Sequence, residues 1–310
     1  MIVTVTLNAA LDLTYRVPAL TPHTTHRVTE VTERAGGKGV NVARVLAALG
    51  HTVTVTGFAG GPTGRTLRDH LTRTPGLVDA LRPVEGPTRR TLAVVDARTG
   101  DTTQLNEPGP AVSPAEWSGF LTAYEELMRG GVTAVALCGS LPPGVPVGAY
   151  ALLVRAARAA RVPVLLDTSG EPLRRGVAAR PDLVKPNAEE LAELTGAHEP
   201  SRATRDARRR GAHAVVASLG ADGLLAVTPE GTWRATPPAA VRGNPTGAGD
   251  SAVAGLLSGL VEGLAWPDRL ARAAALASAT VAAPAAGEFD RAVYEDVLPK
   301  VTVSGKASAA

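Results

Sequence analysis

An α/β fold, with a mostly parallel central sheet flanked by helices and a small β-sheet lid, is what this sequence predicts. Three observations carry that expectation. Strand-like and helix-like segments alternate along the chain, the pattern of sheets built from β-α-β crossovers. Two stretches, residues 13–33 and 88–106, break this rhythm with short β-like runs around turn signals such as RTGD and no intervening helix. With 310 residues, 45% hydrophobic and 20% charged, the chain can bury a large core.

Strand candidates are residues 2–7, 52–57, 132–138, 162–167, 182–186, 214–219 and 223–228. Helix candidates fall at about 39–49, 63–73, 114–129, 147–160, 188–195, 200–210, 248–262 and 267–282. The N-terminal MIVTVTLNAALD has no basic leader and reads as the strand that begins the fold. Residues 130–154 carry no charge, but Pro142, Pro143 and Pro146 interrupt them, so they read as strand, loop and helix rather than a membrane span. No repeat or linker divides the chain. It reads as one domain over residues 1–310, with 13–33 and 88–106 together forming the lid. The tail VSGKASAA is the one stretch expected to be disordered.

Composition excludes several functions. Net charge is only +3, and the one basic cluster, SRATRDARRR, has no interleaved aromatic residue. That cluster reads as a solvated helix face, so no nucleic-acid partner is inferred. No membrane partner is expected either. The single cysteine, Cys138, excludes an internal disulfide and a cysteine-based zinc site, and points to a reducing, cytoplasmic setting. Six histidines lack metal-ligand spacing, and no structural metal is expected.

The rare residues locate the chemistry. Only four of the 32 basic residues are lysine, and two of those, Lys38 and Lys185, stand in turn-rich segments away from the tail. Five asparagines, Asn8, Asn41, Asn106, Asn187 and Asn244, all fall where a strand or hairpin ends. Asparagine favours turns in any case; that preference explains the lysines less well.

Two glycine-rich turns precede helices. In AGGKGVNVARVLAALG the glycines allow a ligand to approach the backbone, and the helix N-terminus favours an anion. No Ser or Thr follows Lys38, so this is not a Walker A loop, and no G-x-G-x-x-G follows the first strand, which excludes a dinucleotide fold. In GNPTGAGDS the N–H groups around Gly247, Ala248 and Gly249 form a nest for a phosphate, with Asp250 in the first helical turn. Asp250 reads either as a helix-capping acid or as a general base for a hydroxyl that attacks a phosphoryl group in the nest. Capping alone does not require the glycines upstream.

At these residues the sequence resembles the PfkB-type, ribokinase-like carbohydrate kinases. TLNAALD, GGKGVNVARVLAALG, GPTRR, NEPGP, CGSLPPG, LDTSG, VKPNAEEL, SLGADG and NPTGAGDS stand in the family's order over nearly the whole chain. LNEPGP, GSLPPG and LDTSG look most like the phosphohexose branch of 1-phosphofructokinases, tagatose-6-phosphate kinases and a 6-phosphofructokinase type.

The resemblance implies ATP- and Mg²⁺-dependent phosphorylation of a sugar-phosphate hydroxyl, with fructose 1-phosphate as the preferred acceptor. It assigns Asp250 as catalytic base and Gly247, Ala248 and Gly249 as the anion hole. Asn187 and Glu190 would organise Mg²⁺ and phosphates through water. Lys185 would face the nucleotide phosphates, with Ser218 and Gly220 in the nucleotide-binding turn. Asp12, Gly36, Gly37, Lys38 and Asn41 match the acceptor cradle. A phosphorylated acceptor needs further cations, for which the sequence offers Lys38, Arg27 and Arg89, with Ser140 as a hydroxyl partner. Arg90, by strand alternation, points away from Arg89.

One departure concerns the acceptor. Many 1-phosphofructokinases have Asn two positions after the arginine of this TR element, where this chain has Thr91, as some tagatose-6-phosphate kinases do. The alternatives are therefore a tagatose-6-phosphate kinase or 6-phosphofructokinase and, from a different class, a non-catalytic sugar-phosphate sensor. A neutral nucleoside would leave Lys38 and Arg89 without a role. Exposed edges of the lid hairpins suggest a homodimer.

Overall fold

The computed structural model describes residues 1–238, 241 and 243–307. The chain opens with β1 (Ile2–Thr6), then the hairpin β2 (Ala10–Val17) and β3 (Glu30–Gly36), then α1 (Lys38–Ala48). β4 (Val53–Ala59), α2 (Gly61–Thr72), and the short β5 (Leu77–Asp79) and β6 (Arg82–Pro83) lead into a second hairpin, β7 (Arg89–Asp96) and β8 (Thr102–Asn106). Regular alternation follows: α3 (Pro114–Arg129), β9 (Ala134–Cys138), α4 (Ala149–Ala159), β10 (Val164–Asp167), α5 (Gly170–Ala178) and β11 (Leu183–Val184). After α6 (Ala188–Thr195) and α7 (Pro200–Arg209) come β12 (Ala214–Ser218), β13 (Leu224–Val227) and β14 (Gly231–Thr236). α8 (Ala248–Val261), α9 (Trp266–Val281), α10 (Arg291–Val297) and β15 (Thr302–Ala307) complete the chain.

The main sheet runs β15-β14-β13-β12-β11-β10-β9-β1-β4-β5, with β6 also beside β4. Pairing is parallel from β12 to β5 and antiparallel from β12 out to β15. Two apolar clusters cover its faces. One joins residues of α3, α4, α5, α6 and α7 to the sheet, and the other joins those of α1, α2, α8 and α9. Helices on both sides of a mostly parallel sheet are the architecture expected from the alternating pattern.

The two hairpins come together in a separate sheet ordered β3-β2-β7-β8. Because side chains alternate along a strand, its faces differ. Asp12, Thr14, Thr32, Arg34, Thr91 and Gln104 line a polar cavity of about 530 Å³ on one face. On the other face Tyr15 is paired with Val31, and Leu92 with Leu105; Val31 and Leu105 are 60% and 58% exposed.

Two sequence expectations need correction. The tail is not disordered over residues 303–307: β15 pairs antiparallel with β14 from Thr236↔Thr302 to Gly231↔Ala307, and of the tail, residues 308–310 lie outside the described residues. Helices α5 and α10, and the strand β14, were absent from the sequence pattern; α5 and α10 have only 9 and 7 residues, too short for a 3.6-residue period to declare itself. Among the described residues no helix is long and apolar enough to cross a membrane.

Candidate active site

Parallel strands place their C-terminal ends along one edge of the sheet, where open α/β sheets bind ligands. Asp167 ends β10, Ser218 ends β12, and Lys185 follows β11 directly. Lys38 opens α1, and Asp250 lies in the first turn of α8. Lys38, Lys185, Ser218 and Asp250 line a cavity of about 1250 Å³ together with Asp12, Gly37, Asn41, Arg89, Asn187, Glu190, Gly220, Gly247, Ala248 and Gly249, while Asp167 lies buried behind the two lysines.

Helix α8 begins without a side-chain cap, on Gly247 at φ 86. That left-handed backbone suits glycine, and a Cβ there would lie 2.8 Å from the Cβ of Ala286. Asn244 orders the approach, its Oδ1 accepting from the Thr246 N–H at 3.0 Å. The Ala248 N–H donates to Pro245 O at 3.1 Å, whereas among the described residues the amides of Gly247, Gly249 and Asp250 have no acceptor. Orphan amides at the positive end of a 14-residue helix are suited to receive an anion.

Asp250 is buried, and its Oδ2 accepts a hydrogen bond from Asn41 Nδ2 at 2.8 Å. Burial raises its pKa from 3.8 to about 6, against the opposing pull of the Lys38 ammonium. A carboxylate so held is largely ionised near neutrality yet basic enough to take a proton. This environment sets a pH dependence. We expect the acidic limb of the kcat/KM profile to have a midpoint near 6 and activity to fall as pH drops through it; a midpoint near 4 would contradict the assignment. The sign for stability is opposite. Between 3.8 and about 6 the folded chain holds this proton more tightly than the unfolded one, so Asp250 makes folding less favourable as pH rises through that window.

Asp167, which the sequence reading did not single out as a site residue, organises the cations. It is 1% exposed, with Lys38 Nζ 3.3 Å from Oδ2 and Lys185 Nζ 3.4 Å from Oδ1. The second contact is an ion pair without hydrogen-bond geometry. The Asp167 carboxylate pushes the Lys38 pKa further up. A Cβ added to Gly249 would stand 3.6 Å from Lys185 Nζ, so this buried ammonium faces the nest.

A second carboxylate, Asp12, lies across the cavity. Burial raises it to about 6, opposed by Arg89 and by a hydrogen bond from Thr91. Gly36 is required for it, since a Cβ there would stand 2.0 Å from Asp12 Oδ2. Arg89 is held by Nε to Asn8 O at 3.1 Å and by Nη1 to Thr91 Oγ1 at 3.4 Å. Ser140 does not line the cavity; its hydroxyl accepts from Asn8 Nδ2 at 3.1 Å and so reaches Arg89 through Asn8. Arg90 points to the other face and pairs with Glu107, as alternation predicts. Arg27 is exposed in the loop before β3 and lines neither cavity.

Asn187 and Glu190 form a reciprocal capping box on α6. The Asn187 N–H donates to Glu190 Oε2 at 2.9 Å, and the Glu190 N–H to Asn187 Oδ1 at 2.8 Å. Both line the cavity, leaving Glu190 Oε1 and the Asn187 amide group for other partners. Among the described residues no three His, Cys, Asp or Glu side chains converge on a metal position. This donor set fits a hard cation that takes most of its oxygens from phosphates and water, as Mg²⁺ does.

The sequence profile described as pfkB family carbohydrate kinase matches residues 4–291. A 1-phosphofructokinase of Rhodobacter capsulatus is 42% identical over 283 residues, covering 90% of this chain and 88% of that protein. Among solved structures, phosphofructokinase-2 of Escherichia coli in its tetrameric inhibited form has TM-score 0.88 at 29% identity, covering 96% of this chain and 98% of that one. The same enzyme in complex with fructose-6-phosphate has TM-score 0.87, with 29% identity and the same coverage of 96% and 98%.

Proposed function

Because the chain belongs to the pfkB family of carbohydrate kinases, and is thus a phosphotransferase with a hydroxyl acceptor, we propose that it transfers the γ-phosphoryl group of ATP to a ketohexose phosphate, with fructose 1-phosphate as acceptor and fructose 1,6-bisphosphate as product. The observation that carries this reading is the pairing of a buried, Asn41-bound carboxylate with unengaged amides at the start of the same helix. Asp250 takes the proton of the attacking hydroxyl, and the Gly249 and Asp250 amides with Gly247 receive the charge that gathers on the transferred group. Lys185, fixed by Asp167, meets the nucleotide phosphates. Ser218 and Gly220 border the end of the cavity that receives the rest of the nucleotide. Mg²⁺, when bound near Asn187 and Glu190, screens the phosphate charges. On the acceptor side Asp12 accepts from sugar hydroxyls, and Lys38 and Arg89 bind the phosphate the sugar already carries.

The choice of fructose 1-phosphate follows the Rhodobacter relative. Thr91 supports a second reading, tagatose 6-phosphate or fructose 6-phosphate, because its hydroxyl accepts from Arg89 and it stands opposite Asp12 in the small sheet. A sensor that binds without turnover is distinguished by ADP release, which a kinase gives with each acceptor it uses. For Arg89 the expected outcome is specific. Arg89→Met raises KM for the phosphorylated acceptor by about thirtyfold or more, since a desolvated charge-assisted contact is worth about 2 kcal/mol or more, and leaves KM for ATP within about twofold. Equal effects on both substrates would remove Arg89 from the acceptor site.

We further propose that the small sheet closes over the acceptor and that its apolar outer face, carrying Val31 and Leu105, is buried in a homodimer. Sedimentation at micromolar protein would show a dimer; a monomer there contradicts this.

A further inference from the structure

The segment between α9 and α10 touches the catalytic apparatus at three consecutive residues. Ala286 packs on Gly247, where an added Cβ would be 2.8 Å from the Ala286 Cβ and 2.9 Å from its Cα. Gly287, at φ 75, abuts Asn41 so closely that a Cβ would be 3.0 Å from Asn41 Oδ1 and 3.1 Å from its Cα. The Glu288 carboxylate accepts from Arg44 Nη2 at 2.9 Å and also from Arg34.

These contacts join parts of the fold that are far apart in sequence. Arg34 belongs to β3 of the small sheet, and it lines the polar cavity beside Asp12. Arg44 lies on α1, three residues beyond Asn41 and therefore on a neighbouring part of the same helix surface. Arg44 also acts on Asp12, whose carboxylate it helps to keep ionised. The two guanidiniums oppose one another: after burial, which lowers the Arg44 pKa most, Glu288 raises it and Arg34 lowers it. Both need the carboxylate between them. Glu288 is one-third exposed, so the bridge contributes little to global stability and acts mainly on geometry.

We propose that Glu288 is a positioning residue: by bridging Arg34 of the small sheet and Arg44 of α1, it seats residues 286–288 against Asn41 and Gly247, and so couples the placement of the small sheet to that of the base and the anion nest. The inference rests on the kinase reading of this site. Removing the carboxylate leaves two cations that repel, unseats the segment, and loosens both the donor that holds Asp250 and the turn that carries the free amides.

Glu288→Gln keeps the shape and removes the charge. The expected result is a kcat lower by about tenfold or more, because displacements near 1 Å at a reacting centre cost up to about a hundredfold. KM for ATP stays within about twofold, and amide exchange quickens in two segments, at Ala248 and Ser251, whose N–H groups bond Pro245 O and Gly247 O, and at Asp290, whose N–H bonds Ala279 O. Glu288→Asp, which keeps a carboxylate, recovers part of the lost kcat. An unchanged kcat overturns the proposal, and so does a lowered kcat without faster exchange in those two segments. Should Glu288→Gln fail to fold, Arg34→Met removes one arm of the bridge, and the same two readouts are expected at smaller amplitude; their absence is equally decisive. Failure of the kinase reading shows separately, as wild-type protein that releases no ADP with any phosphohexose, and the exchange comparison then still decides whether Glu288 seats the segment.

Discussion

Asp250→Asn is expected to lower kcat by about two to four orders of magnitude, the usual contribution of a positioned general base, while ATP affinity stays within about threefold. The substitution keeps size and shape, and the new side-chain oxygen still accepts from Asn41 Nδ2, which now stands 2.8 Å from Oδ2. What is lost is the capacity to take a proton. The change should not destabilise the fold. Burial already disfavours the charged form of Asp250, holding its pKa near 6, so a neutral amide relieves that cost at pH 7 and the melting temperature stays level or rises. Single-turnover ADP formation, equilibrium ATP binding and a melting curve check the three parts. A kcat near the wild-type value would remove Asp250 from the mechanism.

Asp167→Asn should damage both stability and turnover. Lys185 is 3% exposed and Asp167 1%, so removing the carboxylate leaves an ammonium buried without its counter-charge. Breaking such a pair costs about 3–5 kcal/mol, a large part of the roughly 5–15 kcal/mol that holds a protein folded. Lys38 loses its partner in the same step, although its half-exposed side chain suffers less. Turnover falls because Lys185 Nζ is no longer held beside Gly249. The double variant Asp167→Asn/Lys185→Met should recover most of the stability, since the uncompensated charge is gone, and none of the activity. Urea unfolding of the single and double variants checks this; a single variant as stable as wild type would show that Lys185 is solvated or otherwise paired.

What was legible in the sequence depended on how local each signal was. Helices α3 and α6 were read at their observed bounds, Pro114–Arg129 and Ala188–Thr195, because a capping residue and a clear period mark them. The turns before α1 and α8 were legible because glycine's backbone freedom is itself the signal, and Gly37 and Gly247 both take positive φ. The rarity of Lys and Asn picked out Lys38, Lys185 and Asn41, now placed around Asp167 and Asp250. Asp167 was not singled out, since an aspartate that ends a strand looks ordinary until Lys38, 129 residues away, is brought to it. Glu288 is hidden for the same reason, its partners Arg34 and Arg44 lying 254 and 244 residues earlier. Arg27 shows the converse. Charge alone nominated it, but nothing local fixed its direction, and it lies exposed away from both cavities. Asn187-x-x-Glu190 also carried a local signal, since a capping box is written in that spacing, and the structure shows both side chains engaged in it while still lining the cavity.

The most direct test of the proposed reaction is kcat/KM of the wild-type protein, with saturating ATP and Mg²⁺, for fructose 1-phosphate, fructose 6-phosphate, tagatose 6-phosphate and unphosphorylated fructose. The account predicts the highest value for fructose 1-phosphate, with unphosphorylated fructose lower by about a hundredfold or more through loss of the phosphate contacts. A value for unphosphorylated fructose equal to that of the phosphohexoses, or no ADP release with any of them, would contradict it.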